Sequence, residues 1–281
     1  MRKLIVTLIC LAALPAFAAQ DDKVLRVCAD PNNLPLSNKN KEGYENKIAE
    51  LLAKDLGWKV EYAWFPQRMG FIRNTLRARD PETNRFKCDL VLGVSPDSDM
   101  TVNTKPYYRS TYALAYVKGK GLDSIKTPDD LTKLPPDKLK SLKIGVVGRT
   151  PVADWLLKNN LFEQAVPYQL QTGDPDRYPG EMVEKDLVEG KIDIAMEWGP
   201  IAGYFAKKSS VPIEVVPFKP NETPGIKMDY AIAMGVRRGE KEWHEQVQTL
   251  LEKNKAGIEQ ILTEYNVPLL EQPSKAASSP Q

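Results

Sequence analysis

The chain has 281 residues, of which 42% are hydrophobic and 27% charged, with 39 Lys and Arg residues against 37 Asp and Glu residues. This composition excludes an intrinsically disordered, collagen-like or coiled-coil protein, and the length predicts one large domain or two ordinary ones. The near balance of charge argues against a nucleic-acid-binding protein, because that class usually carries a clear basic excess.

The N-terminus has the pattern of a secretory signal peptide. Two basic residues, Arg2 and Lys3, precede an apolar run over residues 4–14, and small residues end the segment at Ala18. The run is shorter than the roughly 20 residues that a membrane-spanning helix needs, and no later segment is apolar enough to span a membrane. We therefore predict a signal peptide over residues 1–18, cleavage near Ala18 and a periplasmic protein. Cleavage leaves equal numbers of basic and acidic residues.

Two cysteines, Cys28 and Cys88, remain after the third, Cys10, is removed with the signal peptide. A pair of cysteines in an oxidising compartment favours a disulfide, and both residues flank strands that we predict to be neighbours. We therefore expect Cys28 and Cys88 to be bonded. A pair of buried free thiols is the alternative.

The first half of the mature chain alternates between strands and helices. Two prolines, Pro31 and Pro35, keep the turn after the first strand from becoming helical, and Gly57 stops the first helix. A β-α-β-α-β order implies parallel strands with right-handed crossovers, and ligands bind at the carboxyl ends of such strands. The predicted strands span residues 24–29, 60–65 and 89–94, and the predicted helices span residues 45–56 and 68–78.

The pattern then restarts, and two extended apolar segments link the two α/β units in opposite directions. This arrangement predicts a hinged clamshell that traps a ligand between two lobes. We predict a first lobe from residues 22–113 and 234–271, a second lobe from residues 114–233 and a disordered tail over residues 272–281. The predicted strands of the second unit span residues 143–148, 192–196 and 213–216. Helices are predicted over residues 152–158, 201–206, 240–254 and 258–265, and the end of another is predicted at residues 186–189. The two crossings are predicted over residues 112–117 and 230–236.

Several separated segments resemble one family. The first-lobe segments, and GKIDIAMEWGPIAGYFAK in the second lobe, resemble type II periplasmic substrate-binding proteins of the polar-amino-acid class over nearly the whole mature chain. This resemblance implies an α/β, two-lobed, type II clamshell with two hinge crossings. Four segments are more specific and resemble the binding-protein-like component that accompanies quinoprotein methanol dehydrogenases, the MxaJ/XoxJ type. They are RVCADPNNLP, GYENKIAELLA, FPQRMGFIRNTL and TKPYYRSTYA.

The resemblance implies a non-enzymatic accessory protein of periplasmic methanol oxidation. Such a protein would bind a PQQ-dependent methanol dehydrogenase, assist its maturation or activation, and need no cofactor of its own. One alternative is a solute receptor of an ABC importer, which the clamshell alone would indicate. The other is a dehydratase-like enzyme of the same fold, with Glu197 as its acid.

Two departures weaken the case for an amino-acid ligand. Binding proteins of that class usually carry an arginine after the third strand, whose fork grips a carboxylate, but residues 95–101 contain none. They also usually have an acidic residue at the position of Asn46. Aromatic and basic residues occupy the expected cleft instead and suit a small organic ligand or a partner's side chain, with core packing as the alternative. They are Trp64, Phe65, Arg68, Tyr107, Tyr108 and Trp198.

Glu197 lies just past a buried strand, where a carboxylate must be paired or have its pKa raised. It could bind a cation, act as an acid or base, or form a structural ion pair with an arginine. Arg149 and Thr150 belong to a glycine-rich strand-to-helix turn that could receive an anion. Three further candidates on the first-lobe side, which could equally be capping residues, are Asn32, Asn33 and Glu45.

The sequence contains a single histidine, His244, on a charged C-terminal helix. Zinc and copper sites, a Ser-His-Asp triad and a Cys-His pair therefore cannot be assembled, and the carboxylates show no calcium-binding spacing. We predict no metal site, no catalytic residue and no nucleic-acid partner.

Overall fold

The computed structural model describes residues 23–169, 174 and 176–271. The predicted signal peptide at residues 1–18 and the predicted tail at residues 272–281 lie outside these ranges. Within the described ranges, no helix is both long enough and apolar enough to cross a membrane.

Strands and helices alternate along the described chain, and most strands belong to one extended sheet. The strands are β1 (Val24–Ala29), β2 (Asn32–Asn33), β3 (Ser37–Asn38), β4 (Lys59–Trp64), β5 (Leu90–Val94), β6 (Val102–Asn103), β7 (Tyr108–Val117), β8 (Ile144–Val147), β9 (Ala165–Tyr168), β10 (Ile194–Trp198), β11 (Ile213–Pro217) and β12 (Asp229–Val236). The α-helices are α1 (Tyr44–Leu56), α2 (Phe71–Asn74), α3 (Pro136–Ser141), α4 (Pro151–Lys158), α5 (Gly199–Lys208), α6 (Lys241–Lys253) and α7 (Lys255–Glu264). Short 3-10 segments lie at Pro128–Lys133 and Phe162–Gln164, and a π-helical segment lies at Met182–Leu187.

The first lobe is built on the parallel sheet that its strand-helix pattern predicts. β1 pairs with β4 on one side and with β5 on the other, and it is parallel to both. α1 packs against this sheet through apolar residues at helical spacing, such as Ile48 and Leu52. The helix ends where Gly57 adopts a left-handed φ of 69°, and the Gly57 N–H donates to the last turn of the helix.

The second lobe has its own strands, and two long strands connect the lobes. β8 lies between β9 and β10 and is parallel to both, whereas β7 runs antiparallel to β10 and β11. The predicted crossings belong to β7 and β12, which pair antiparallel with each other. The α/β architecture with two crossings is thus as predicted, while the lobe boundaries at residues 113/114 and 233/234 stay predictions.

Each lobe has a separate apolar core. The C-terminal helices return to the first lobe, where Ile258 and Leu262 of α7 join the same buried cluster as Ile48. In the second lobe, the buried Trp155 packs edge to face against Phe218, with ring centroids 5.6 Å apart.

The predicted disulfide is confirmed. Cys28 in β1 and Cys88, just before β5, are bonded with their Cα atoms 5.3 Å apart, and both are buried. Phe71 and Ile72 of α2 share their apolar cluster. The bond therefore ties together two parallel strands that are far apart in the sequence.

One predicted helix, residues 68–78, is wrong in its extent, because α2 covers only four residues. Gly70 precedes α2 with a left-handed φ of 87°, and Thr75 follows it with φ −119° and ψ −85°, outside the helical region. The Thr75 hydroxyl donates to the carbonyl of Phe71 at 2.6 Å, a local bond of the kind that competes with helix propagation. β9 and α3 are absent from the sequence prediction.

Residues 265–271, which we call the C-terminal strap, run along the crossing strand β7. The Leu270 N–H donates to the carbonyl of Arg109 in β7 at 2.9 Å. The side-chain amide of Asn266 donates to the carbonyl of Gly203 in α5 at 3.0 Å. Because α7, just before the strap, is anchored in the first-lobe core, the strap links that core to a helix of the second lobe.

Candidate functional site

A cavity of about 570 Å³ lies where the carboxyl ends of β1, β4, β8 and β10 converge. This is the position that a parallel sheet predicts for a ligand site, and the volume is that of a small-molecule pocket. The predicted site residues that line the cavity are Asn32, Asn33, Arg68, Thr150, Glu197 and Trp198.

Glu197 is a buried carboxyl group with one unsatisfied oxygen. It is only 5% exposed at the end of β10, its Oε1 accepts the N–H of Trp198 at 2.7 Å, and its Oε2 has no hydrogen-bond partner among the described residues. Burial raises the pKa of Glu197 to about 7, although the hydrogen bond from Trp198 acts in the opposite direction. No arginine pairs with Glu197 in the described chain, so the ion pair considered in the sequence analysis is not formed there.

Aromatic rings form the wall beside Glu197. Tyr112 in β7 and Trp198 in β10 stand opposite each other in an antiparallel pair, and their rings meet edge to face at 5.3 Å. Tyr230 in β12 contacts both, at 6.4 Å from Tyr112 and 6.1 Å from Trp198. Burial, together with the charge of Glu197, raises the pKa of Tyr112. Tyr112 and Tyr230 begin the two predicted crossings but are not among the predicted site residues, because residue spacing does not reveal which strands pair.

Asp30 organises the first-lobe wall and is not among the predicted site residues either. One carboxylate oxygen accepts the N–H of Asn32 at 2.8 Å, and the other accepts the N–H of Gln67. The Asn33 side-chain amide donates to Gln67 at 3.0 Å, and Arg68 lies next to it on the exposed rim. These bonds tie the loop after β1 to the loop after β4. An aspartate directly after the first buried strand is the signal that could have indicated this position.

Apart from Glu197, the second-lobe wall contains a charged pair, Arg177 and Glu181. Arg177 forms a salt bridge with Glu181 at 2.5 Å, and Lys185 lies 3.3 Å from the other oxygen of Glu181. The Thr150 hydroxyl donates to a carbonyl of β8 at 2.6 Å, which fixes the turn before α4. Arg149 is exposed in that turn, with a left-handed φ of 63°, and does not line the cavity. Among the residues that the structure describes, no three His, Cys, Asp or Glu side chains are placed to hold a metal ion.

Glu45 and Asn46 lie at the start of α1 and do not line the cavity. The Asn46 Oδ1 accepts two backbone N–H groups, including that of Gly43 at 3.1 Å, so Asn46 caps the start of α1. The Glu45 Oε1 has no partner and lies close enough to β5 that a Cβ on Gly93 would be 2.5 Å from it. Burial, together with the charge of Asp30, raises the pKa of Glu45 to about 8.

Four aromatic candidates pack against the first-lobe core and do not line the cavity. Trp64 stacks on Tyr62 with ring centroids 4.6 Å apart, and Phe65 packs against the cluster around the disulfide. Tyr107 and Tyr108 meet edge to face at 5.0 Å, and the Tyr108 hydroxyl shares a 2.9 Å hydrogen bond with a tyrosine of α1. These four side chains therefore pack against the core, which is the alternative given for them above.

No protein-family model matches the chain. The protein MoxJ of Methylorubrum extorquens is 31% identical over 268 residues, which cover 90% of this chain and 84% of MoxJ. The crystal structure of the periplasmic binding protein XoxJ from Methylobacterium extorquens AM1 is 38% identical with a TM-score of 0.69. That of MxaJ from Methlophaga aminisulfidivorans MPT is 26% identical with a TM-score of 0.71. Each of the two structures matches 88% of this chain and 100% of its own.

More distant solute-binding proteins, between 18% and 22% identical, show a shared fold. Together with the two structures above, they confirm the two-lobed, type II periplasmic-binding-protein-like fold that the sequence predicts.

Proposed function

The chain belongs to the family of the MoxJ and XoxJ proteins, and from this premise we propose that it is a periplasmic, non-enzymatic accessory protein of methanol oxidation. It binds a PQQ-dependent methanol dehydrogenase and assists the maturation or activation of that enzyme. The observation that carries this proposal is the similarity to MoxJ over 90% of the chain.

The charges in the cavity fit this proposal better than they fit an amino-acid importer. Among the described residues, two arginines line the cavity, of which Arg177 is paired with Glu181 and Arg68 is exposed on the rim. No residue from 95–101, where amino-acid receptors usually carry their gripping arginine, lines it. A carboxylate in the cavity would therefore not meet a buried, unpaired guanidinium that could bind it bidentately.

Purified components test the proposal directly. We expect the protein to co-elute with the apo or holo dehydrogenase on size-exclusion chromatography, and to raise the rate at which apoenzyme gains activity when PQQ and the metal ion are added. A periplasmic amino-acid-binding protein of the same fold is the control and should do neither. The proposal fails if the protein behaves like that control in both measurements.

A dehydratase-like activity is the second candidate, and one observation favours it. A carboxyl group with a pKa near 7, such as that of Glu197, suits a general acid at neutral pH. Incubation with prephenate, followed by quantification of the dehydrated product, tests this candidate. Turnover by the wild type that Glu197→Gln abolishes would support it, and a wild type no faster than buffer would exclude it.

A further inference from the structure

The cavity combines a carboxyl group that has one unpartnered oxygen with a wall of aromatic rings. We propose that it binds a methylated organic ammonium ion, whose positive nitrogen lies beside the Glu197 carboxyl group and the ring pair of Tyr112 and Trp198. This inference goes beyond the role in methanol oxidation and holds or fails independently of it, since it concerns only the cavity.

Glu197 has no positively charged partner among the described residues. A buried carboxylate is costly unless a donor or a positive charge compensates it. Glu197 lines the cavity and its buried Oε2 has no partner among the described residues; the described arginines of the cavity do not supply one, because Arg177 pairs with Glu181 and Arg68 is exposed on the rim. A cation from outside the chain would complete the site.

The cavity wall next to Glu197 is aromatic. The faces of Trp and Tyr rings attract cations, and this attraction grows when the cation is desolvated. Tyr112 and Trp198 line the cavity within 5.3 Å of each other, and Tyr230 supports both from β12. The three rings come from three different strands, so the wall is held by the sheet and not by a loop.

Methylated and primary ammonium ions differ in the number of N–H donors that the wall must satisfy. A primary ammonium has three N–H donors and needs three acceptors, as the ammonium of lysine does. Beside Glu197 the wall consists of the rings of Tyr112 and Trp198, and of these only Tyr112 carries an acceptor, its hydroxyl, so a primary ammonium would leave donors unsatisfied there. A nitrogen that carries methyl groups has few donors or none, and its methyl groups pack on the rings.

Isothermal titration with three matched probes tests this proposal on the wild-type protein. Choline is the methylated ion, ethanolamine is its primary counterpart, and 3,3-dimethylbutan-1-ol is its neutral isostere. We expect choline to bind at least about tenfold more tightly than either of the others. Equal binding of ethanolamine, equal binding of the neutral alcohol, or no binding of choline would each overturn the proposal.

Two variants and a control assign the binding to the named residues. Glu197→Gln keeps the shape of the side chain and removes its charge, and Trp198→Leu removes a ring; each should weaken choline binding at least about tenfold. Glu240→Gln is the control, because Glu240 Oε2 is also buried without a partner but lies outside the cavity. Unchanged choline affinity in folded Glu197→Gln, or an equal loss in the control, overturns the proposal. If Glu197→Gln does not fold, Trp198→Leu and the probe series decide.

Discussion

The cavity and the C-terminal strap differ in how completely the chain satisfies its own groups. In the cavity, Glu197 Oε2 lacks a partner and Arg68 is exposed. Along the strap, backbone and side-chain groups are hydrogen-bonded, and the ring of Tyr265 stacks on that of Tyr204 at 5.6 Å. Buried polar groups are normally paired, so the paired groups of the strap stabilise the fold, whereas Glu197 Oε2 in the cavity is an exception to that rule.

The strap approaches α5 so closely that two positions have room only for glycine. A Cβ on Gly203 would lie 2.1 Å from the carbonyl oxygen of Asn266. A Cβ on Gly199 would lie 2.3 Å from the carbonyl oxygen of Thr111 and 2.5 Å from a side-chain carbon of Pro268. These contacts are with backbone and with a rigid ring, which cannot move aside cheaply.

The largest expected effect is at Gly203. In an ordinary helix interior, Gly→Ala stabilises by about 1 kcal/mol, but here we expect Gly203→Ala to lower the free energy of unfolding by about 3 kcal/mol, because the strap must be displaced. Chemical denaturation measures the change. Gly148→Ala is the control, since a Cβ there meets nothing within 4 Å. A stabilised Gly203→Ala variant would show that the strap is not closely packed in solution.

The next effect is at the ion pair where the crossing strands meet. Arg109 in β7 donates to Asp229 in β12 through Nε at 2.8 Å and through Nη2. Asp229→Asn leaves a largely buried guanidinium without its counter-charge, and we expect a loss of about 2 kcal/mol in the free energy of unfolding. Glu252→Gln, which breaks an exposed pair with Lys105, is the matched control and should cost less than about 1 kcal/mol. Equal losses in the two variants would contradict this prediction.

In the cavity, removal of a charge should raise the free energy of unfolding, whereas removal of the Asp229 charge should lower it. The pKa of Glu197 rises from 4.5 to about 7 on folding, so the native state holds the proton more tightly, and stability falls as the pH rises through this window. Glu197→Gln removes that loss, and we expect the variant to be more stable than the wild type by about 1–2 kcal/mol at pH 8 and nearly equal to it at pH 4.

Thermal unfolding across this pH range measures the difference. Glu45, whose pKa is raised to about 8, should leave a residual pH dependence in the variant. Parallel pH profiles for wild type and variant would show that Glu197 is not desolvated.

The smallest effect is expected at the rim. Arg68→Ala should change the free energy of unfolding by less than about 0.5 kcal/mol, because the side chain is exposed. Chemical denaturation provides the measurement. A loss above about 1 kcal/mol would mean that the rim, like the strap, contributes to the fold.

Local signals predicted much of the fold. The apolar run of β1, the spacing along α1 and the stop at Gly57 each act within a few residues, and the structure has them as predicted. The helix over residues 68–78 failed because Gly70 and Thr75 have backbone conformations that apolar spacing does not report. Short elements such as β9 depend on the sheet into which they pair, and this information is not local.

The residues of the site likewise fall into those that local sequence signals predict and those that depend on contacts between distant segments. Residues within a few positions of the ends of predicted strands, such as Asn32 and Glu197, line the cavity because parallel strands bring their carboxyl ends together. Tyr112 enters the wall only because β7 pairs antiparallel with β10, which is a contact between distant parts of the sequence. Aromatic character alone places Tyr108 in the predicted cleft, but this character is common to core residues and binding residues.

The position of the strap in the chain has a consequence for the order of assembly. A growing chain that has reached Val236 contains every strand of the sheet, but it lacks Ile258 and Leu262, which belong to the first-lobe core, and the residues that close onto α5. The first lobe is therefore completed by residues made after the whole second lobe. Folding intermediates of this protein should hold a formed second lobe while the first still exposes the apolar face of α1, which makes that face the surface a chaperone would have to protect.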